Sequence, residues 1–189
     1  MDTTRRNIIH IAAAAAASLV LLGSPHASAA SDAAEIDQDA TAALTRLYHI
    51  DRRAAALRPK AAGVLIFPKI VKAGFIFGAQ GGKGALRIGG RTHRYYTIAA
   101  ASFGLQAGVE WFSYALFFMD RKALRYLDQS DGWAVGTDPN VAVIDQGVGA
   151  SISSTTLAKQ VIAFPFGLNG LMADISLQGS KITTYNPND

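Results

Sequence analysis

Residues 75–87 read FIFGAQGGKGALR, an aromatic run followed by a glycine-rich segment with one lysine and then by an apolar run. A Walker-type phosphate loop needs Gly, four residues and then Gly-Lys-Ser/Thr, whose hydroxyl holds magnesium. Here only three residues separate Gly78 from Gly82, and Gly84 follows Lys83. The dinucleotide fingerprint also fails, because no glycine lies three residues beyond Gly84 and no long helix follows. We therefore predict that this segment is the turn of a β-hairpin.

Short apolar runs flank this segment, among them residues 64–67 and 95–98. Residues 105–111 alternate apolar and polar side chains, which predicts a strand with its odd-numbered residues buried. Residues 114–119, YALFFM, form a continuous apolar run that indicates a strand covered on both faces. Several short strands joined by tight turns favour an antiparallel sheet, closed as a barrel or packed as a sandwich.

Two helices are predicted beside these strands. Residues 35–57 repeat apolar side chains at steps of three and four, with charged side chains between them, which indicates one amphipathic helix. Asp120 precedes the run RKALRYLDQ and is suited to cap a short helix. The pair Asn169–Gly170 lies between two apolar runs and favours a further hairpin. The predicted fold class is α+β, mostly antiparallel β, with an N-terminal amphipathic helix and one or two short helices.

The first 29 residues resemble a signal peptide. Arg5 and Arg6 precede an apolar run over residues 8–22, and the small residues Ala-Ser-Ala end at Ala29. The paired arginines fit a twin-arginine export signal, and an ordinary Sec signal with two arginines fits equally well. We expect export to a bacterial periplasm, with residues 30–189 forming a single domain.

Several chemical classes find little support in the sequence. The chain has no cysteine, and only His49 and His93 follow residue 29, which is a poor basis for a zinc site. No Gly-x-Ser-x-Gly elbow is present. Glu110 and Asp174 could meet across a sheet, but paired-acid hydrolysis requires two carboxylates held together over a cleft. We expect no enzymatic activity, no metal and no cofactor.

The positive charge is concentrated in one part of the chain. Residues 46–94 carry eleven lysines and arginines against Asp51 alone, a balance of +10, whereas residues 30–45 carry −4 and residues 95–189 carry −3. Such a block can attract anionic surfaces if folding gathers it on one face. Nucleic acid is not expected, because tyrosines beside arginines in RTHRYYTI (91–98) are ordinary strand composition and an exported protein meets little nucleic acid.

The segment FPKIVKAGFIF (67–77) combines lysines with phenylalanines, as a lipid-contacting surface does. Its lysines could reach lipid phosphates while the rings of Phe67, Phe75 and Phe77 sit at the headgroup boundary. Each cation near an anionic membrane contributes on the order of 1 kcal/mol, so several must act together. The competing interpretation is that these phenylalanines belong to the core.

Four blocks, in order, resemble the SYLF domain family. They are AAGVLIFPKIVKAGFIFGAQGGKGAL, YYTIAAASFGLQAG, LFFMDRKALRYL with GW close behind, and LQGSKIT. The resemblance runs from about Ala43 to Thr184 and implies a compact domain of β-strands with packed helices. It also implies lipid binding, since eukaryotic members bind phosphoinositides and sometimes actin, while bacterial members are exported. Lys83 and Gln178 stand where the family often has acidic residues, and both changes remove negative charge.

The leading hypothesis is that the chain is an exported, non-enzymatic domain that binds anionic phospholipid, such as phosphatidylglycerol or cardiolipin, through a basic face in residues 60–94. Actin is not expected as a partner in a periplasm. The predicted lipid-binding residues, all in the basic block, are Lys69, Lys72, Lys83, Arg87, Arg91 and Arg94. The alternative is a protein-interaction or envelope structural module whose basic face meets an acidic partner or polysaccharide.

Overall fold

A computed structural model describes residues 25–130, 132–138, 140–144, 156, 158–169 and 179–188. The helices are α1 (Pro25–Ile50), α2 (Arg52–Leu57) and α3 (Arg121–Gln129), and a 3₁₀ turn spans Val135–Thr137. The strands are β1 (Gly63–Ile88), β2 (Arg91–Phe118), β3 (Trp133–Ala134), β4 (Val141–Val143), β5 (Val161–Asn169) and β6 (Lys181–Tyr185). The predicted signal peptide up to residue 24 and the position after Asn169 in the proposed second hairpin lie outside the described residues.

One long antiparallel hairpin, β1 with β2, dominates the molecule. Its turn is Gly89–Gly90, with φ angles of 58° and 82°. A two-residue hairpin turn of type I′ needs positive φ at both central positions, which glycine adopts without steric cost. The prediction that GAQGGKG forms the turn is therefore wrong. That stretch lies inside β1, where Gly78 is the register partner of Ser102 and Gly84 that of Tyr96.

The glycines of that stretch instead let β1 curl back onto itself. A Cβ added at Gly84 would lie 2.5 Å from the carbonyl oxygen of Ile66, and one added at Gly82 would lie 2.5 Å from that of Lys69. No side chain fits at such distances, so glycine is required wherever the two halves of β1 cross this closely. Shifts in the β1–β2 register, including one between Phe67 and Ile70, accompany the bending.

The remaining strands add to both ends of β2. The strand order is β3-β6-β2-β5-β4, with β1 also paired to β2, and every pairing is antiparallel except that of β4 with β5. Together the strands form a half-barrel with helices packed on it. The predicted fold class, α+β with mostly antiparallel strands, is confirmed.

The side of the sheet that we call the inner face holds one of two core clusters. It gathers Leu65, Phe67, Tyr96, Tyr114 and other apolar side chains of the long hairpin against Trp133 and the buried residues of α3. Asp120 caps α3, since its side chain accepts a hydrogen bond from the Ala123 amide at 2.7 Å. The predicted capped helix is thus confirmed.

The opposite side, which we call the helix face, is covered by α1. Its core cluster packs Ala40, Leu44 and Leu47 of that helix on Phe117 and Phe164 of the sheet. Residues 114–118 are buried on both faces, as the continuous apolar run predicted.

The helix predicted over residues 35–57 is two helices in the structure. Asp51 lies between α1 and α2 in an extended conformation, and its carboxylate accepts hydrogen bonds from the amides of Arg53 and Ala54. Aspartate favours such an N-cap over a helix interior, because its short side chain satisfies amides that have no helical partner. The apolar periodicity continues across the break, so the pattern alone did not reveal it.

Candidate functional site

The six predicted lipid-binding cations do not share one face of the sheet. Lys69, Lys83 and Arg87 lie on the helix face, where the last two contact α1. Lys72 and Arg94 lie on the inner face, and Arg91 lies beside the hairpin turn. The positive block of the sequence is therefore divided by the alternation of side chains along β1 and β2.

Lys83 joins the first part of α1 to the last strand. Its Nζ lies 2.9 Å from the Asp32 carboxylate, donates to the Tyr185 hydroxyl at 2.8 Å and sits 4.5 Å from the centroid of that ring. The Tyr185 hydroxyl also donates to Asp32. Hydrogen bonds from Tyr185 and then from Lys83 hold the pKa of Asp32 below its ordinary value of 3.8. Lys83 is therefore engaged inside the domain, although half of its side chain is exposed.

Arg87 is held by α1 in a similar way. Its Nη2 donates to the Asp37 carbonyl at 2.7 Å and to the Thr41 hydroxyl at 3.0 Å, and lies 3.5 Å from the Asp37 carboxylate. Thr92 and Tyr95 donate hydrogen bonds to the same carboxylate. These contacts tie α1 to both strands of the hairpin, and only 16% of the Arg87 side chain is exposed.

The inner-face cations face carboxylates. Arg94 lies 3.6 Å from Asp128 of α3, which also accepts a hydrogen bond from the Tyr96 hydroxyl at 2.7 Å. Lys72 is only 9% exposed and is the direct cross-strand partner of Glu110. Opposite charges at such positions attract each other across the sheet. Lys72 and Arg94 therefore each lie beside an acidic side chain rather than in a purely basic patch.

Lys69 is an exposed cation of the helix face that makes no ion pair within the described part of the chain. Beside it the sheet extends past α1 and leaves apolar side chains uncovered. We call these residues the exposed strip: Val71, Ala73, Val109 and Trp111. They face each other across the hairpin, since Val71 pairs with Trp111 and Ala73 with Val109.

The exposure of Val109 corrects the prediction that the odd-numbered residues of 105–111 are buried, and the side chains of Leu105 and Ala107 lie outside the described residues. Val109 is 70% exposed and Val71 is 37% exposed. Of the other predicted apolar contacts, Phe67 is fully buried in the inner-face core, and the side chains of Phe75 and Phe77 lie outside the description. Alternation correctly separates the two faces of a strand, but only the position of α1 decides where the covered part of a face ends.

A cavity of about 410 Å³ connects the strip to α1. It is lined by Ala43 and Arg46 of the helix and by Pro68, Lys69 and Trp111 of the sheet, with Asp39 at its border. Arg46 is fixed there, because it donates to Ser113 at 2.9 Å and stacks 5.4 Å from the Phe166 ring centroid. Arg46 belongs to the basic block of residues 46–94, but its position beside the strip depends on how α1 packs on the sheet, which local patterns do not reveal.

Other kinds of site find no support in this arrangement. The described residues contain no group of three or more histidine, aspartate or glutamate side chains that could hold a metal ion. Asp174, which could meet Glu110 across a sheet, lies outside the described residues. No helix within the described ranges has the length and apolarity required to cross a bilayer.

Comparison with known proteins identifies the C-terminal half of the chain. Residues 99–188 match the model of the Ysc84 family, whose description is "Las17-binding protein actin regulator". No curated protein matches the chain. The match includes the third and fourth sequence blocks and most of the second, and it confirms the resemblance to the SYLF family. Over residues 99–188 the chain is thus similar to the Ysc84, or SYLF, family, whose domains are of the lipid- and actin-binding type.

Proposed function

We propose that the chain binds the surface of anionic phospholipid membranes and is not an enzyme. The exposed strip and Lys69 make the contact. The observation that carries this proposal is the solvent exposure of Val109, 70%, on a sheet face that also presents Val71 and Trp111 beside an unpaired lysine. Aliphatic side chains and a tryptophan suit the headgroup boundary, and a lysine beside them can reach lipid phosphate.

This proposal retains fewer of the six predicted lipid-binding cations as membrane contacts. Lys83, Arg87 and Arg94 form ion pairs with Asp32, Asp37 and Asp128, respectively. Since each free cation near an anionic surface contributes on the order of 1 kcal/mol, Lys69 and Arg46 give modest, salt-sensitive binding. Apolar contact by the strip supplies the rest.

The cellular setting is part of the proposal. If residues 1–29 direct export, the available anionic lipids are phosphatidylglycerol and cardiolipin, and the protein acts in the periplasm, peripheral to a membrane. Actin regulation, which the family description names, is not proposed for an exported protein. Fusion of residues 1–35 to a reporter that is active only outside the cytoplasm tests export. Replacing Arg5 and Arg6 with lysine tests whether export needs the twin arginines, and a reporter that stays inactive argues against the setting.

Co-sedimentation of the full chain with vesicles tests the lipid contact. Phosphatidylcholine vesicles are compared with vesicles that also contain phosphatidylglycerol, using Lys69→Glu and Val109→Asp. We expect the anionic vesicles to bind better, and Lys69→Glu to weaken that binding roughly tenfold, because two units of charge change at the surface. Val109→Asp places a charge in the contact and weakens binding to a similar extent.

Two control variants keep the test specific. Arg94→Gln removes a cation from the inner face, and Val143→Asp changes a valine of β4 that is 49% exposed. Both should leave vesicle binding unchanged. Equal binding to neutral and anionic vesicles, or equal losses in test and control variants, would contradict the proposal. A single stoichiometric protein partner recovered from periplasmic extract, without vesicle binding, would favour the protein-interaction module instead.

A further inference from the structure

A second cavity, of about 550 Å³, opens on the helix face beside the hairpin turn. It lies between α1, the segment that follows α2 and the turn Gly89–Gly90. Its volume is within the range of small-molecule sites in proteins. It shares no lining residue with the cavity beside the exposed strip.

The charged residues that line this cavity are both basic. Arg58 and Arg87 both line it, and none of the described residues that line it is acidic. Its remaining walls are apolar or hydroxyl-bearing and include Leu44, Tyr48 and Val64. Asp37 does not line the cavity, but its carboxylate lies 3.5 Å from Arg87 Nη2 and offsets part of that charge. Two guanidinium groups, one of them Arg58 without an ion pair among the described residues, and an aromatic wall favour an anion over a neutral or cationic ligand.

Arg58 is exposed and is held by an aromatic ring. Its guanidinium carbon lies 5.2 Å from the centroid of Tyr48, a cation–π contact that orients the group beside the cavity. Arg58 makes no ion pair with any described residue. Its hydrogen-bond donors are therefore available to a ligand.

Arg87 has only part of its hydrogen-bonding capacity satisfied. Nη2 donates to Asp37 and Thr41 of α1, whereas the enclosed Nε has no hydrogen-bond partner within the described residues. Nη1 likewise donates to none of those residues. An arginine can donate five hydrogen bonds, and buried donors are rarely left without acceptors. The guanidinium is thus fixed by α1 at the cavity wall and keeps donors that no described residue satisfies.

We propose that this cavity binds a small soluble organic anion, with one carboxylate or phosphate group between Arg58 and Arg87. An apolar or aromatic body of the ligand packs against Tyr48, Leu44 and Val64. The inference does not depend on membrane binding, because the cavity is built from residues outside the exposed strip.

Calorimetric titration of the full chain tests the proposal with four probes: phenyl phosphate, benzoate, inorganic phosphate and the neutral benzyl alcohol. We expect one or both aromatic anions to bind, and benzyl alcohol to bind at least tenfold more weakly. Arg58→Gln should weaken anion binding about tenfold. Arg91→Gln makes the same charge change beside the turn but outside the lining, so it should alter binding less than twofold. Arg87→Lys keeps the charge and should weaken binding by losing the second donor group.

Three results would overturn the proposal: no binding of either aromatic anion at millimolar concentration, equal binding of benzyl alcohol, or equal losses in Arg58→Gln and Arg91→Gln. A lipid headgroup is distinguished from a soluble anion by the vesicle assay. If Arg58→Gln keeps vesicle binding and Val109→Asp keeps phenyl phosphate binding, the two sites are separate, as proposed. If Arg58→Gln loses both, the cavity serves lipid headgroups and the assignment to a soluble anion is wrong.

Discussion

The inner face and the helix face of the sheet differ in how they are held together. On the inner face, β1 approaches itself at glycines and fully buried rings fill the space. Its polar contacts include the Tyr96–Asp128 hydrogen bond at α3 and the Gln80–Ser180 hydrogen bond. On the helix face, α1 is packed by apolar residues but is also tied by Asp32, Asp37 and Arg46. Both cavities described above lie on that face. The self-crossing of β1 therefore belongs to the inner face, and the two binding surfaces proposed above belong to the helix face.

The largest expected effect lies on the inner face, at Gly84. Gly84→Ala would place a methyl group 2.5 Å from the Ile66 carbonyl oxygen and from a ring carbon of Phe67. Because a backbone atom cannot move aside cheaply, we expect a loss of about 3 kcal/mol or more in the free energy of unfolding. Urea denaturation followed by circular dichroism measures it.

Gly81→Ala is the matched control in the same stretch. Its added Cβ would lie 3.5 Å from the nearest atom, the Ile98 carbonyl oxygen, which is an ordinary contact. Gly81→Ala should therefore lower the free energy of unfolding by less than about 1 kcal/mol. Equal losses for Gly81→Ala and Gly84→Ala would show that the self-crossing of β1 does not explain the glycines.

These glycines also mark how far the sequence predicts the fold. Local patterns identified the strands, the capped helix α3 and the α+β class, since alternation and caps depend on near neighbours in the chain. They misplaced the turn, because GAQGGKG and Gly89–Gly90 both satisfy the composition of a turn. The close approach of Gly84 to Ile66 explains why the first segment lies inside β1 and only Gly89–Gly90 forms the turn. That approach joins residues far apart in sequence, so local patterns do not reveal it.

The candidate site was less predictable than the fold, for a related reason. Clustering of eleven basic residues within 46–94 suggested one basic face, but strand alternation sends Lys72 and Arg94 to the inner face. Partners such as Asp32 and Asp128 lie outside that block in sequence. Whether a cation is free depends on such contacts, and the charge count along the chain does not record them.

A smaller effect on the inner face concerns two tyrosine hydroxyls. The Tyr114 hydroxyl is buried and has no hydrogen-bond partner within the described part of the chain, and burial raises its pKa above the ordinary value. Tyr114→Phe removes this unsatisfied group and should raise the free energy of unfolding by about 1 kcal/mol. Tyr96→Phe breaks the hydrogen bond to Asp128 and should lower it by a similar amount. Thermal denaturation of both variants measures whether stability rises in Tyr114→Phe and falls in Tyr96→Phe. A change of the same sign in both variants would contradict these two predictions.

The smallest expected effect belongs to the helix face and depends on pH. The pKa of Asp32 is lower in the folded protein than its ordinary value, so its contacts stabilise the fold at neutral pH. That stabilisation is lost as the pH falls below about 3.8 through the lowered pKa. Asp32→Asn should therefore lower the free energy of unfolding by less than about 1 kcal/mol at pH 7, because the Asp32–Lys83 ion pair is partly exposed.

Urea denaturation of the wild type and Asp32→Asn from neutral pH down to about pH 2.5 measures this difference. We expect the two stabilities to converge at the acidic end. Asp39→Asn is the control, since Asp39 is an exposed carboxylate of the same helix without an ion pair among the described residues. A difference between wild type and Asp32→Asn that persists unchanged in acid would argue against the Asp32 contacts as its source.

The tie between Asp32 and Tyr185 also has a consequence for the order of folding. The two residues are 153 positions apart, and Lys83 completes the contact between them. The ribosome synthesises α1 early and the strand Lys181–Tyr185 near the end of the chain. The start of α1 therefore cannot make its native contact with Tyr185 until synthesis is almost complete. Closing so long a loop is slow compared with forming the local hairpin. We therefore expect the start of α1 to be protected from hydrogen exchange last during refolding.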